Sequence, residues 1–174
     1  VIQMDIYSQV KNDNNFVILD TMNYWIEKTQ KELFEIICKV NLVVINDEES
    51  KMLGKSESIE ECAKNILSCG PDYIIIKKGS HGAELFSKHQ RSAIPALDNI
   101  KVVDPTGAGD SFVGGVCGYL ALQPRISFKE IHNAMIYGAV IASFCIEEFG
   151  LARLQKISKE NIDKRIKTFA KHLL

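Results

Sequence analysis

The sequence lacks the features that would assign it to a membrane, secreted or nucleic-acid-binding class. No apolar run reaches the length of about 18 residues needed to span a bilayer, and no basic start with an apolar core marks a signal peptide. A formal net charge of −1 gives no support to binding of nucleic acid or an anionic membrane through bulk charge. These absences predict a soluble cytoplasmic protein with no nucleic-acid partner and no membrane partner.

Spacings typical of disulfides, zinc sites and Walker loops are also missing. The five cysteines are widely spaced without a C-x-x-C pair, and the four histidines show no ligand spacing. We therefore expect reduced thiols, with neither a disulfide framework nor a zinc site. The pattern G-x-x-x-x-G-K-[ST] occurs nowhere in the chain, so a Walker A loop is excluded. Any anion that the protein binds has to be held by another local arrangement.

What is present is an ordinary globular composition in which strand and helix patterns alternate. The 174 residues, 46% hydrophobic and 25% charged, suffice for one core, and a single domain over 1–174 is predicted. The alternation predicts an α/β fold with a mostly parallel sheet and a site at the carboxyl ends of the strands. Strands are predicted at 16–19, 42–45, 73–76, 83–86, 91–95 and 100–103, and helices at 27–40, 58–69, 109–122, 128–147 and 158–172.

The stretch from Asp104 to Phe112 carries the strongest signal for chemistry. Its small residues lie between a predicted strand and a long predicted helix. A helix N-terminus has unpaired amides and a partial positive charge, so Gly107 and Gly109 are suited to present N–H groups to phosphate oxygens. Asp110 would be repelled by such a phosphate unless it has a task there. Accepting the proton of an attacking hydroxyl is such a task.

A plain alternative remains open for the same stretch. Asp110 would then be a first-turn acid that complements the helix dipole, and the glycines would make a tight turn. Gly114 and Gly115 weaken this alternative. Glycine costs roughly 1 kcal/mol relative to alanine inside a helix, so a pair of them indicates close approach of another backbone or a ligand.

Polar residues also follow three other predicted strands. Asp20 ends the first, Asn46 to Glu49 follow the second, and Lys77 to Gly82 follow the third. Each also has a plain structural alternative when it is taken alone. Asp20 would belong to a turn or an N-cap, Asn46 to Glu49 to a solvated helix start, and Lys77 to Gly82 to a strand-to-strand turn. Their shared position at strand ends favours a ligand site at one edge of the sheet.

Three motifs together resemble a known family. Asp-Pro-Thr-Gly-Ala-Gly-Asp-Ser-Phe at 104–112, followed by Gly114-Gly115, resembles the C-terminal signature of the PfkB (ribokinase-like) carbohydrate and nucleoside kinases. Asn46 to Glu49 resembles the family's N-x-x-E motif, and 77–82 resembles its G-x-x-G nucleotide loop. The resemblance implies the C-terminal portion of a three-layer α/β/α fold, without the N-terminal strands and β-lid of full-length relatives.

The resemblance also implies roles for individual residues. Asp110 would be the general base, and ATP, Mg²⁺ and in some relatives K⁺ would be the cofactors. The implied residues are Gly107, Ala108 and Gly109 for an anion hole, Lys77, Gly79, Gly82 and Gly138 for the nucleotide, Asn46 and Glu49 for Mg²⁺ through water, and Asp104 for a monovalent cation.

The substrate and the assembly are less determined by these motifs. Sugar kinases of the family often carry Asp-Pro-Asn after the first strand, whereas this chain has Asp-Thr-Met-Asn at 20–23. A sugar kinase, a nucleoside kinase and a catalytically silent nucleotide-binding piece all remain open. The chain begins at Val1 without an initiator Met, so we expect it to belong to a larger protein. We expect it to pair with an N-terminal half or with a second copy, and to phosphorylate a sugar poorly alone.

Overall fold

The computed structural model describes residues 2–9 and 15–171, in which eight helices and five strands are formed. No helix in these ranges is long and apolar enough to cross a membrane. The strands are β1 Ile18–Asp20, β2 Leu42–Asn46, β3 Tyr73–Lys77, β4 Ala83–Ser87 and β5 Arg91–Ile94. The helices are α1 Ile2–Ser8, α2 Asn23–Lys28, α3 Gln30–Ile37, α4 Asp47–Gly54, α5 Ile59–Leu67, α6 Ala108–Leu120, α7 Phe128–Cys145 and α8 Lys159–Ala170.

The strands form one sheet in the order β1-β2-β3-β4-β5, flanked by helices. β1, β2 and β3 run parallel, and each crossover between them contains two helices. The predicted α/β class and its mostly parallel first part are therefore confirmed. The end of the last predicted helix, at 172, lies outside the described residues.

The chain divides into two compact units by contacts. The first unit comprises 1–77 and 84–91, and the second comprises 78–83 and 92–174. The core of the first unit lies between β2, β3 and the crossover helices, with Val43 and Ile45 in register with Ile74 and Ile76. The alternate strand residues are also fully buried. Apolar runs buried on both sides are typical of parallel strands, as the sequence predicted.

The helix predicted over 27–40 is two shorter helices. Thr29 separates α2 from α3 with φ −136° and ψ 42°, outside the helical region. Its amide and its hydroxyl both donate to the carbonyl oxygen of Trp25, at 3.0 and 3.1 Å. A β-branched residue whose hydroxyl bonds back to the preceding turn competes with helix propagation. Ile26 of α2 and Leu33 of α3 are both buried.

The strand predicted at 100–103 is wrong for the described chain. Val102 and Val103 are 59% and 52% exposed, and the segment belongs to no strand. The amides of Val103 and Asp104 both donate to the carbonyl oxygen of Ile146, at 2.8 and 3.3 Å. A shared carbonyl beyond the end of α7 thus replaces the repeating bonds of a strand ladder. The apolar run therefore predicted a strand where the chain forms an irregular segment held by this carbonyl.

α6 and α7 cross at two glycines in the second unit. A Cβ atom at Gly115 would lie 2.8 Å from the Cα of Gly138, and one at Gly138 would lie 2.7 Å from the carbonyl oxygen of Phe112. Gly114, by contrast, faces open space. The expected close approach of another backbone therefore explains Gly115 but not Gly114.

Gly115→Ala should destabilise the chain by about 1–3 kcal/mol, because the added methyl meets main-chain atoms that cannot rotate away. Gly118→Ala in the same helix is the control, since a Cβ there meets nothing within 4 Å. The control should stabilise the chain by about 0.5–1 kcal/mol. Urea unfolding measures both. Equal stabilities for the two variants would show that the helices do not approach closely at Gly115.

Candidate functional site

The carboxyl ends of β1, β2 and β3 bring together the polar residues predicted there. Asn46 pairs in register with Lys77, and the Nζ atom of Lys77 lies 3.4 Å from Oδ1 of Asp20. The side chains of Lys77 and Asp20 are 18% and 28% exposed, so this ion pair is largely shielded from water. The predicted convergence is thus confirmed in the first unit. The carboxylate partner of Lys77 was not predicted.

Asn46 and Glu49 form a reciprocal cap at the start of α4. The amide of Glu49 donates to Oδ1 of Asn46 at 2.8 Å, and the amide of Asn46 donates to Oε2 of Glu49 at 2.7 Å. Such a capping box satisfies two helix amides at once. The alternative in which these residues start a helix is therefore correct. That alternative also expected solvated side chains, whereas Glu49 is buried.

The charge of Glu49 is not required by this cap. The side chain is 5% exposed, and its burial raises the pKa of the carboxyl, against the lowering effects of the Asn46 amide and of Lys77. A glutamine at this position would cap the helix equally well, because capping boxes accept Glu or Gln. Helix capping therefore does not explain why this buried residue is an ionisable Glu. Ligation of a cation is a chemical role that does need a carboxylate.

The loop from Lys78 to Gly82 is a tight turn in the second unit. The amide of Lys78 donates to the carbonyl oxygen of Gly82 at 2.8 Å, and the amide of Gly82 donates to that of Gly79 at 3.1 Å. Both glycines have positive φ, 53° at Gly79 and 84° at Gly82. A Cβ at Gly82 would collide with the carbonyl oxygen of Ile94, whereas Gly79 faces open space. Packing therefore explains Gly82, and Gly79 is the glycine open to a ligand.

Asp104 organises the turn that leads into α6. Its Oδ1 accepts from the amide of Thr106 at 3.0 Å, and its Oδ2 accepts from the amide of Gly150 at 3.5 Å. The Thr106 amide and hydroxyl, and then the Gly150 amide, lower the pKa of Asp104. The carbonyl oxygen of Thr106 also accepts from the thiol of Cys145 at 3.6 Å. A carboxylate with lowered pKa stays charged at neutral pH.

The first turn of α6 presents amides beside Asp110. Gly107 is the N-cap residue with φ 78°, a left-handed conformation that favours glycine, and it has no side chain to cap the helix. The amides of Gly109 and Asp110 lie in the first turn, where no intrahelical carbonyl faces them. The amide of Ala108 donates to the carbonyl oxygen of Pro105 at 3.2 Å. Asp110 itself is exposed at the third position of the helix.

Gly138, predicted to lie near an adenine, is buried in the crossing of α7 with α6. That crossing gives it a packing reason independent of any ligand, and its nucleotide role stays a prediction. A cavity of about 330 Å³ in the second unit also contains none of the predicted site residues. It is lined by Leu97, Asp98, Ile100, Phe144, Arg153, Asn161, Lys164, Arg165, Thr168 and Phe169.

Among residues 2–9 and 15–171, no three or more His, Cys, Asp or Glu side chains are grouped to hold a metal ion. A metal that requires a complete cage of protein ligands is therefore not accommodated by the described side chains. Mg²⁺ differs in this respect, because it keeps several waters and is usually held by one or two carboxylates together with substrate phosphates. The Mg²⁺ role predicted for Asn46 and Glu49 is not tested by this absence and stays a prediction.

Comparison with known proteins identifies the family. A model of the pfkB family carbohydrate kinases matches residues 5–157, most of the chain. The chain belongs to the PfkB family. A nucleoside kinase from Methanocaldococcus jannaschii is 29% identical over 139 residues, which are 79% of this chain and 43% of the relative. A fructokinase from Rhizobium leguminosarum is 27% identical over 93 residues, 53% of this chain and 28% of the relative.

Solved structures of PfkB relatives share the fold. A fructokinase from Vibrio cholerae, bound to fructose, ADP and calcium, has a TM-score of 0.79 at 20% identity and covers 96% of this chain. This chain covers 54% of that structure. The chain therefore spans about half the length of the relatives that it matches. The predicted ribokinase-like fold is confirmed, and kinases of both sugars and nucleosides are among the relatives.

Glu49→Gln should leave the chain at least as stable as the unchanged protein at pH 7. Burial makes the pKa of Glu49 higher in the folded chain than in the unfolded chain. Below the unfolded pKa the carboxyl is protonated in both states and does not lower the free energy of unfolding. As the pH rises through the folded pKa, the folded chain loses stability. The advantage of the Gln variant should therefore grow from about pH 4 toward neutrality, by about 1.4 kcal/mol for each unit of pKa shift. Urea unfolding at several pH values measures it.

Glu48→Gln provides the matched control, because Glu48 is exposed in the same first turn. Its stability difference from the unchanged chain should show no comparable growth with pH. A Glu49→Gln variant that is clearly less stable at pH 7 would contradict the argument, since the carboxylate would then be part of what holds α4 in place.

Proposed function

We propose that this chain supplies the nucleotide-binding and base-bearing part of a kinase that transfers the γ-phosphoryl group of ATP to a sugar hydroxyl. The observation that carries the proposal is the first turn of α6. Left-handed Gly107 starts a helix with free amides, and Asp110 follows one turn into it. Membership in the PfkB family supports assigning phosphoryl transfer to this turn.

Asp110 is the proposed general base. It accepts the proton of the acceptor hydroxyl as that oxygen forms a bond to the γ-phosphorus, while the bond from phosphorus to the leaving ADP oxygen breaks. Its position on a helix fixes its distance from the amides of Gly107 and Gly109. An exposed carboxylate is also accessible to an acceptor that arrives from solvent.

The amides of Gly107, Ala108 and Gly109 are the proposed anion hole. Charge spreads over the phosphoryl oxygens in the transition state, and fixed N–H donors at a helix N-terminus stabilise it without having to reorganise. The Ala108 amide contributes once it exchanges its 3.2 Å bond to Pro105 for a phosphoryl oxygen. Gly79, Gly82 and Lys77 are proposed to adjoin the nucleotide, with Gly79 making the closest approach because its surroundings are open.

Asn46 and Glu49 are the proposed Mg²⁺ ligands, acting through water. The buried carboxylate of Glu49 fits this role, because a nearby cation would offset the unfavourable burial of its charge. When bound, Mg²⁺ neutralises phosphate charge and orients the transferred group. Asp104 is the corresponding proposal for a monovalent cation such as K⁺, since its carboxylate stays charged and has lone pairs beyond its two amide bonds.

A nucleoside is the second candidate acceptor. It is favoured by the M. jannaschii nucleoside kinase, whose match covers 79% of this chain against 53% for the R. leguminosarum fructokinase. The chain spans about half the length of such relatives. We propose that the side chains that choose the acceptor lie outside these 174 residues.

Replacing one amide tests the anion hole. Gly109→Pro removes an N–H that lies in the first turn of α6 and has no helical partner. Gly109→Ala keeps the amide and serves as control. Calorimetric titration with ATP and Mg²⁺ should show affinity weakened at least about tenfold in the proline variant only, the loss expected for one hydrogen bond to a charged group. If the unchanged chain binds no nucleotide, it is a silent member of the family and the proposal fails.

Asp110→Asn tests the chemistry. Transfer should fall about 10²- to 10⁴-fold, the usual contribution of general-base catalysis, while the affinity for ATP is maintained. We expect low turnover from the 174 residues alone, since acceptor positioning supplies much of the rate. The assay is therefore run on a chimera that adds the N-terminal part of the M. jannaschii nucleoside kinase, with a panel of sugars and nucleosides.

Glu160→Gln is the control for Asp110→Asn, because Glu160 is an exposed first-turn acid of another helix, α8. If Asp110 only complements the helix dipole, both variants should retain transfer. Loss of transfer confined to Asp110→Asn is the result that the proposal requires.

A further inference from the structure

One peptide group beyond the end of α7 supports the turn before α6. The carbonyl oxygen of Ile146 accepts from the amides of Val103 and Asp104, at 2.8 and 3.3 Å. That carbonyl belongs to the peptide bond between Ile146 and Glu147. The direction in which it points therefore depends on how the backbone of Glu147 is held.

Glu147 is held by two arginines, one from each side. Nη2 of Arg165 in α8 donates to Oε1 of Glu147 at 2.7 Å, and Nε of Arg153 donates to Oε2 at 3.0 Å. The side chains of Glu147 and Arg165 are each 20% exposed, so their pair is screened less than a surface ion pair. Both oxygens of the carboxylate are thus engaged, which fixes the side chain and restricts the backbone that carries it.

Arg165 is fixed in turn by α7. Its Nη1 donates to Oγ of Ser143 at 3.0 Å, and its guanidinium carbon lies 3.4 Å from the centre of the Phe144 ring. A planar guanidinium that stacks on an aromatic ring and donates in two directions is a rigid anchor, and lysine does not reproduce this geometry. Arg165 therefore connects α8 to the last turn of α7 and to the residue directly after Ile146.

The last residue of α7 and the segment after it contact the turn before α6 at two further points. The thiol of Cys145 donates to the carbonyl oxygen of Thr106 at 3.6 Å, and the amide of Gly150 donates to Asp104 at 3.5 Å. These bonds are long, so they depend on the placement of the segment rather than determine it. Glu147 lies between their two donors in sequence and is the strongly anchored member of the segment.

We propose that Arg165, acting through Glu147, is a positioning residue for the turn from Asp104 to Gly107. It orients the Ile146 carbonyl that receives two amides of the turn, and so sets where the first turn of α6 begins. The importance of that placement for phosphate binding rests on the proposed function. The ordering of the turn by Arg165 does not rest on it.

The test uses three variants of the chain. Arg165→Met removes the guanidinium and keeps an apolar stem against Phe144, and Arg165→Lys keeps a charge that can still reach Glu147. Lys164→Met is the control, because Lys164 is an exposed neighbour on α8 that makes no ion pair with Glu147. Amide hydrogen exchange is followed at Val103, Asp104 and Gly150, with the buried middle of α7 as reference.

Arg165→Met should speed exchange at those three amides by about 3- to 30-fold, the range of coupling through a contact network. Arg165→Lys should give a smaller increase, and Lys164→Met none. Exchange in the middle of α7 should stay unchanged in all three. Unchanged exchange at the turn, or the same acceleration throughout α7, would overturn the proposal, because the first means no coupling and the second means general loss of stability.

The affinity for ATP and Mg²⁺, measured by calorimetry on the same variants, tests the functional consequence. The affinity should weaken most in Arg165→Met, less in Arg165→Lys and not at all in Lys164→Met, as the exchange rates should. Faster exchange without weaker binding would show that the turn is ordered by Arg165 but that its order does not matter for the nucleotide. If the unsubstituted chain binds no nucleotide, the proposed function fails, while the exchange rates still decide the positioning role.

Discussion

Two hydrogen bonds, from the amides of Val103 and Asp104 to the carbonyl oxygen of Ile146, hold the start of the turn that leads into α6. A glycine-rich turn has little intrinsic preference for one conformation, since each glycine gives up more conformational freedom than any other residue. Here the turn is ordered by main-chain bonds to the segment after α7 and by the Asp104 carboxylate, which accepts two amides. The helix amides that would face a phosphate are therefore placed by bonds outside the helix.

The first unit shows a different constraint, in which an ionisable carboxyl group lies where burial disfavours its charged form. Glu49 could cap α4 as a glutamine, yet the chain has a carboxylate there with a raised pKa, near Lys77 and Asp20. Buried ionisable groups with shifted pKa values cluster at functional sites, although structural ion pairs shift them as well. The distinction lies in whether folding needs the charge. The hydrogen bonds of the α4 cap do not need Glu49 to be charged.

Much of the fold and the location of the site could be predicted from the sequence, because both depend on local patterns. The apolar runs at 42–45 and 73–76 are buried parallel strands, and Asp20, Asn46 and Lys77 do end neighbouring strands. The failures depend on distant partners. Val103, at the end of the predicted strand 100–103, bonds to a carbonyl more than forty residues away instead of to a strand, and no local pattern could show that.

Distant packing partners also distinguish the glycines from one another. The family resemblance implies nucleotide contacts at Gly79, Gly82 and Gly138, and the sequence predicts a nearby backbone or ligand at Gly115. Only the packing shows that Gly82, Gly115 and Gly138 are close to protein backbone. Arg165 was missed because a lysine- and arginine-rich helix face looks solvated in the sequence. Its role becomes visible only through its contacts with Ser143 and Glu147.

A crystal structure of this chain with Mg²⁺ and a non-hydrolysable ATP analogue would test the central claim most directly. We predict that a phosphate oxygen accepts hydrogen bonds from the amides of Gly107 and Gly109, with the Asp110 carboxylate beside the terminal phosphate. A nucleotide bound elsewhere, for example in the cavity beside Arg165 and Phe169, with the first turn of α6 not contacting phosphate, would contradict it.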